Sequence, residues 1–374
     1  MVQPEPGKDD ISMKKFLPIL LILCLFLTAC KKTEPTPTQP DTTPTTEATV
    51  PETTEATEPA VEYRNPLNGA ALTSAWTGRP TAVVVNNLKY ALPQYGINDA
   101  DFFYELETEG GITRCLAVYS DITKVDTVGP IRSARTFFNN IALSYDAPII
   151  HCGGSVRGRN AGFEDSNAKI ENWEHIDQVY NGNYFFRDED RYYYQGYNWE
   201  HTLFAKGKKL YQGLQDKEMA APTSRSEDFG LLFDEKPLLN GSPATELTVY
   251  FRGDKTTGFV YDEATGTYKA SQYGTDWVDA GHDSTAMSFR NVIVLYTDQW
   301  NRHDGEYSRS YYTLSGSGNG LLAIDGKLVP ITWSRDDLRT SFSYQLTDGT
   351  PVTLGTGHTY VAVADVTSQP AEYK

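Results

Sequence analysis

The sequence is short of what metal centres, disulfide scaffolds, nucleic-acid binders and membrane spans require. Its 374 residues include four cysteines and six histidines. No His-x-x-x-His or Cys-x-x-Cys pair occurs among them, so zinc-type spacing is absent and no metal or other cofactor is expected. Basic charge is scarce: 33 Lys and Arg stand against 49 Asp and Glu, for a net charge of −16. Such a surface repels nucleic-acid phosphates, which argues against a DNA or RNA partner. It also repels anionic lipid, so a basic patch is not what would hold the chain at a membrane. Long apolar runs are missing too. Phe16–Leu27 has 12 residues, too few for the roughly 20 that a spanning helix needs. No internal repeat is visible.

The residues around that short run are informative. Lys14 and Lys15 precede it, and Leu27-Thr28-Ala29-Cys30 follows it. Basic pair, apolar core and small residues before a cysteine make a lipoprotein signal peptide over 1–30, with Cys30 as the lipidation site. The alternative is an ordinary secretory leader with an incidental cysteine. Asp9 and Asp10 lie ahead of the basic pair, which is wrong for such a leader, so Met13 is expected to be the true start. Residues 31–60 are rich in Thr, Pro and Glu and almost free of large apolar side chains, which predicts a disordered tether. Its service would be reach, letting the folded part stand clear of the lipid surface. The expected location is extracytoplasmic and lipid-anchored at the cell membrane.

Setting those segments aside leaves about 310 residues, more than one core usually serves, so two domains are expected. The 24 tyrosines favour strands. Strands are predicted at 81–87, 101–107, 114–119 and 148–152, with a helix over 133–145 on whose face Phe137, Ile141 and Tyr145 fall together. Prolines at 222, 237 and 243 mark a boundary. Beyond it come strands at 247–251 and 291–296, a hairpin over 259–268, and Asp-Gly turns at 325–326 and 348–349. The expected fold class is α+β (or α/β), with a mixed-sheet domain over 61–220 and a smaller β-rich domain over 245–367. Cys115 and Cys152 sit in apolar runs, and the sequence leaves both a disulfide and two buried thiols open.

The chain resembles a family of bacterial lipoproteins of unknown function, the DUF3048 or YerB-like lipoproteins. The likeness rests on Arg79-Pro80-Thr81-Ala82-Val83-Val84-Val85-Asn86-Asn87, on Pro93-Gln94-Tyr95-Gly96, and on Tyr104-Glu105 with Glu109-Gly110-Gly111-Ile112-Thr113-Arg114. It continues through Gly129-Pro130-Ile131-Arg132-Ser133-Ala134-Arg135, His151-Cys152-Gly153-Gly154-Ser155 and, near the end, Ile331-Thr332-Trp333-Ser334-Arg335 and Gly349-Thr350-Pro351. The resemblance implies an N-terminal family domain joined to a smaller β-rich one, and no reaction. One phrase departs from the family pattern: Glu200-His201-Thr202-Leu203-Phe204 keeps the histidine but has Thr202 where similar proteins carry Asn.

The densest polar cluster is Glu105, Glu109, Arg114, Arg132, Arg135 and His151, with Glu107 between the first two. Alternating glutamates share a strand face if the strand continues. Arg132 and Arg135 fall three apart at a predicted helix start, where backbone N–H groups favour an anion. Asn86, Asn87, Ser133, Gly153, Gly154, Ser155, Arg187 and His201 are secondary candidates. A pocket of this make-up suits a carboxylate-bearing sugar–peptide fragment, since arginine reads carboxylate bidentately. The competing reading is an internal salt-bridge lattice that fixes strand order.

Three functions remain: a binder of cell-wall material or an envelope protein, a glycan or peptide hydrolase using Glu105 or Glu109 with His151, and a structural or assembly lipoprotein. The hydrolase requires two carboxylates at a defined separation across a cleft. Serine or cysteine catalysis at 151–155 lacks the Gly-x-Ser-x-Gly elbow. Four further segments receive bland expectations: a solvated loop at Asp188-Glu189-Asp190, a surface turn at His282-Asp283, and a hairpin loop at the glycine-rich 316–320, which lacks the Gly-Lys-Ser/Thr of a phosphate loop. The aromatic segment from Tyr184 to Trp199 suits either stacking on sugars or covering a core.

Overall fold

Thr81–Asn86 is apolar at nearly every position and wholly buried, as a strand covered on both faces must be. It belongs to a mixed sheet that organises the molecule. The computed structural model describes residues 63–374 except 156–162, 166–167, 171–173, 224, 226–228, 253–254 and 305–306, and except the side chains of 163–165, 168–170, 304 and 307. The leader, Cys24, Cys30 and the tether lie outside the described residues.

The strands used below are β1 (Thr81–Asn86), β2 (Phe102–Glu107), β3 (Thr113–Tyr119), β4 (Ile149–His151), β5 (His175–Asp177) and β6 (Ser242–Pro243). They continue with β7 (Glu246–Tyr250), β8 (Thr256–Asp262), β9 (Thr267–Gln272), β10 (Thr275–Asp276), β11 (Ser288–Phe289), β12 (Asn291–Thr297), β13 (Gln299–Asp304) and β14 (Tyr307–Tyr312). The last are β15 (Gly316–Ile324), β16 (Lys327–Arg335), β17 (Ser343–Leu346), β18 (Thr359–Asp365) and β19 (Glu372–Tyr373). The main sheet has eleven strands in the order β6-β16-β15-β12-β18-β2-β3-β1-β4-β5, with β17 beside β16. Pairing is mixed: β2–β3 and β1–β3 are antiparallel, whereas β18 runs parallel to both β12 and β2.

The sheet's two faces carry different cores. On one, Phe103, Cys115 and Ala117 pack with Phe259, Tyr268, Trp277 and Phe289 of a second, six-stranded sheet built from β7 to β11 and β19. On the other, Tyr104, Leu106 and Leu116 pack with Phe137, Phe138 and Ile141 of helix α1 (Thr136–Ser144). The fold is β-rich, and among the described residues a second helix, Gly207–Asp216, buries Leu210 and Leu214 in the first of these cores. Residues Pro59–Lys374 make one compact unit. Strands from the expected 61–220 and 245–367 segments share the main sheet through the β18–β2 pair. The β-rich part also runs past residue 367, because β19 pairs with β7 and Lys374 closes backbone hydrogen bonds to Glu246.

Several local expectations meet a different structure. Helix α1 starts at Thr136, three residues late, because Arg132 to Ala134 are extended: the Arg132 carbonyl accepts from Cys152, and Ala134 bridges to Gly154. Asp188-Glu189-Asp190 is not a loop. Asp188 caps a short helix, Glu189–Tyr193, by accepting from the Arg191 N–H. Gly316–Gly320 is part of β15, paired along its length with β16. Gly318 and Gly320 serve packing, whereas Gly316 has a positive φ. A Cβ at Gly318 would come 2.5 Å from the Trp333 indole nitrogen and 2.8 Å from the Tyr296 carbonyl oxygen. Gly318→Ala is therefore expected to lower stability by about 1–3 kcal/mol, measured by urea unfolding. The expected turn at Asp325-Gly326 is present: both residues have positive φ and connect β15 to β16. Cys115 and Cys152 are not joined by a disulfide.

Candidate functional site

The sheet divides the polar cluster. Glu105 lies opposite Cys115 in the β2–β3 register, on the face covered by the second sheet. Arg114, one residue before Cys115, points to the other face with Leu116 and α1. Glu109 is on neither strand. Strand β2 ends at Glu107, and a 3-10 turn over Glu109–Gly111 with positive φ at Gly110 and Gly111 carries the chain away. The expectation that Glu105, Glu107 and Glu109 continue along one strand face is thus corrected for Glu109, and a shared open cleft for Glu105 and Glu109 is not formed.

Glu105 is fully enclosed. Its Oε1 accepts from Asn87 Nδ2 at 2.8 Å, Thr113 Oγ1 at 2.5 Å and Lys255 Nζ at 2.9 Å. Its Oε2 accepts from Thr257 Oγ1 at 2.8 Å and Tyr360 OH at 2.7 Å. Burial alone would raise this carboxyl, but the Lys255 ammonium and the hydroxyl donors hold it below the usual range. Asn87 is also enclosed, and its Oδ1 accepts from Gln94 and Gln272.

The second set surrounds Glu109. Arg135 grips its carboxylate through Nε at 3.0 Å and a second, shorter bond from Nη2, and Arg309 on β14 donates to the same carboxylate. Burial would raise Glu109, but Arg135, with Arg114 adding its field, holds it down to about 2. Arg114 is 5% exposed and donates one hydrogen bond, from Nη1 to the Ser133 carbonyl at 3.1 Å. Burial, then Arg135 and Arg132, push its guanidinium well below the usual range. Arg132 donates to the Glu200 carboxylate at 3.0 Å. Among the described residues, arginine outnumbers carboxylate here, beside the start of α1.

The remaining candidates surround these sets or serve turns. His151 is enclosed, hydrogen-bonded through Nδ1 to the Gly153 carbonyl at 2.8 Å and through Nε2 to His175 at 2.9 Å, and no described contact joins it to Glu105 or Glu109. Gly153, at positive φ, donates its N–H to Asp177 and accepts at its carbonyl from the Ala134 N–H, the Ser155 N–H donates to the Ala134 carbonyl, and Gly154 lies between them in the bridge. Asn86 bonds the buried His201, whose ring burial keeps toward the neutral form. Arg187 stacks 4.9 Å over Trp199 and donates to its carbonyl. Beside them, Tyr193 and Tyr194 are 66% and 82% exposed, so this aromatic segment does not simply cover a core. A cavity of about 640 Å³ lined by Trp76, Arg79, Lys124, Tyr211 and Met219 shares none of the candidate residues.

Sequence reading missed Lys255 and Arg309. Each comes from a strand region more than a hundred residues from its partner, and neither lies in a phrase with a motif. The one trace of Lys255 is its place in the alternation with Thr257 and Phe259, at a position that should be buried.

The mixed sheet, its covering β-sheet and an arginine-rich carboxylate cluster define a β-rich protein with a candidate anion site. Residues 67–220 match the family model described as "Protein of unknown function (DUF3048) N-terminal domain", and residues 247–361 match its C-terminal counterpart. The chain belongs to the DUF3048 family. It is similar to "Putative lipoprotein YerB" of Bacillus subtilis (strain 168), 28% identical over 290 residues that cover 74% of this chain and 79% of that protein. The crystal structure of the YerB protein from Bacillus subtilis has a similar fold, with a TM-score of 0.63 at 23% identity, covering 80% of this chain and 96% of that one.

Proposed function

We propose that this chain is an extracytoplasmic lipoprotein, anchored through Cys30 and carried on the 31–60 tether, whose folded part binds an anionic ligand of the cell envelope. The lipobox-like Leu27-Thr28-Ala29-Cys30 and the name of its Bacillus relative support the anchoring. No helix among the described residues is long and apolar enough to cross a membrane. The observation that carries the binding reading is Arg114. It is buried beside Arg132 and Arg135, and the Glu109 carboxylate that would neutralise it is gripped by Arg135 and Arg309. A buried cation with no carboxylate of its own among the described residues favours an incoming one.

The ligand is a carboxylate-bearing sugar–peptide fragment of the cell wall. Arg132 links the arginine cluster to Glu200, whose neighbour Trp199 belongs to the exposed aromatic segment, so sugar rings and carboxylates would be met side by side. Calorimetric titration with digested cell wall tests this. Arg114→Gln is expected to weaken binding about tenfold or more, the worth of one lost charge-assisted pair. Fragments with amidated carboxyls should bind poorly, and rising salt should weaken the native interaction. Equal binding by Arg114→Gln and wild type would remove the cluster from consideration.

A further inference from the structure

The enclosed cluster behind Glu105 contains the parts of an amide-forming reaction. Lys255 Nζ lies 2.9 Å from Glu105 Oε1, and Asn87 Nδ2 lies 2.8 Å from the same oxygen. The amine and the carboxamide are therefore within two hydrogen bonds of each other, with one carboxylate oxygen between them. The Asn87 carbonyl oxygen accepts from two side-chain amides, Gln94 Nε2 at 2.9 Å and Gln272 Nε2 at 3.0 Å. Two N–H groups aimed at one carbonyl oxygen polarise it and would hold the negative charge of a tetrahedral intermediate. The site is dry: Asn87, Glu105 and Gln94 are fully buried, Gln272 is 3% exposed and Lys255 4%. The rings of Tyr273 and Trp277 stand 5.2 and 5.7 Å from Nζ.

We infer that Lys255 and Asn87 are joined by an intramolecular isopeptide bond, with Glu105 as the proton carrier. In the unreacted pair, Nζ passes a proton to Oε1 along their hydrogen bond. Rotation of the lysine's terminal torsions brings the neutral amine onto the Asn87 Cγ, and the Nζ–Cγ bond forms as Oδ1 takes the carbonyl electron pair between Gln94 and Gln272. Collapse of the intermediate restores the carbonyl and breaks the Cγ–Nδ2 bond. Nζ gives up two protons in all: one goes to Nδ2, which leaves as ammonia, and the other remains on Glu105 as a neutral carboxylic acid. No oxidant, reductant or further reactant enters. A dry site assists both ends of this sequence, since it disfavours the separated charges of the ammonium–carboxylate pair and excludes water that would compete for Cγ.

The bond would tie the residue after β1 to the residue before β8, and so the main sheet to the sheet that covers it. Among the described cysteines there is no disulfide, so this would be a covalent staple that no change of redox conditions opens. It would close a long loop of chain, where a cross-link restrains the unfolded state most.

Mass spectrometry of the purified full chain decides the matter. A digest of the wild type is expected to yield the Asn87 and Lys255 peptides as one branched species, one ammonia lighter than the two combined, with no tryptic cleavage after Lys255. Lys255→Arg keeps a cation beside Glu105 but removes the nucleophile, so its peptides should be separate. Glu105→Gln keeps both reacting groups and removes the proton carrier. It too should remain unlinked, with circular dichroism confirming that it folds. Separate wild-type peptides with Asn87 intact would overturn the bond. A linked Glu105→Gln protein would overturn the role given to Glu105.

Discussion

Relative to the Lys255–Glu105 charge pair as it stands before any bond to Asn87 forms, Glu105→Ala should lower the free energy of unfolding by about 3–5 kcal/mol, the usual loss when one partner of a buried charge pair is removed. The reason is the completeness of the surroundings. All five described donors to Glu105 come from side chains that are themselves enclosed, Lys255 being 4% exposed. Removing the carboxylate strands an ammonium and leaves Asn87, Thr113, Thr257 and Tyr360 each short of an acceptor. Glu105→Gln should be milder, because an amide oxygen still receives some of these bonds. Replacing both charges, as in Glu105→Gln with Lys255→Met, should recover part of the loss relative to Glu105→Ala, since no uncompensated charge remains. Urea unfolding of the three variants gives the order. If Glu105→Ala costs under about 1 kcal/mol, the cluster contributes little to holding the two sheets together.

The pH profile of stability should fall between about pH 5 and pH 7 through Glu107. Burial, with Asp365 adding repulsion, pushes this carboxyl from 4.5 up to about 7, against the pull of Gln299 and Arg252. Its Oε2 has no hydrogen-bond partner among the described residues. The folded state therefore holds the proton more tightly than the unfolded chain does. Its contribution is fully present below the unfolded value of 4.5 and is lost as pH rises through about 7, a change of at most about 3 kcal/mol. Glu107→Gln, which mimics the protonated form, should flatten that fall and leave the variant more stable than wild type at about pH 8. Glu109 has the opposite sign. With its pKa held down to about 2, it supports the fold at neutral pH and ceases to do so as acid takes the pH below 4.5. A profile that rises from pH 5 to pH 7, or a Glu107→Gln variant that tracks wild type throughout, would contradict the assignment.

The strands around both clusters were legible because they are covered on two faces or alternate cleanly. Val83 to Val85, Phe102 to Leu106 and Val292 to Leu295 place the main sheet to within a residue or two. The cluster was half legible. Arg135 and Glu109 do meet, and Arg114 and Arg132 are beside them, but Glu105 belongs to another network. The condition that fails is continuation of the strand: it ends at Glu107, and Glu109 already opens the turn that Gly110 and Gly111 complete at positive φ. Lys255 and Arg309 were hidden for a different reason. Their partners are set by sheet order, and sheet order depends on which distant strand lies next to β2, which no local pattern encodes. Glycines at 316–320 misled in the same way. In isolation they read as a loop, and only the neighbouring strands explain why side chains are missing there: the Trp333 ring at Gly318 and the Val294 carbonyl at Gly320.

Strand β18 has a bearing on how the molecule is made. It lies between β12 and β2 and is parallel to both, and it consists of residues 359–365. Until that late segment docks, Phe102–Glu107 and Asn291–Thr297 each keep one edge unpaired. Both are rich in apolar side chains, the kind of edge that captures neighbouring chains. A chain truncated before residue 359 is therefore expected to expose two adhesive edges rather than form a smaller version of the protein. Folding should also be slow for its size, because the pairing that completes the sheet joins residues more than two hundred and fifty positions apart.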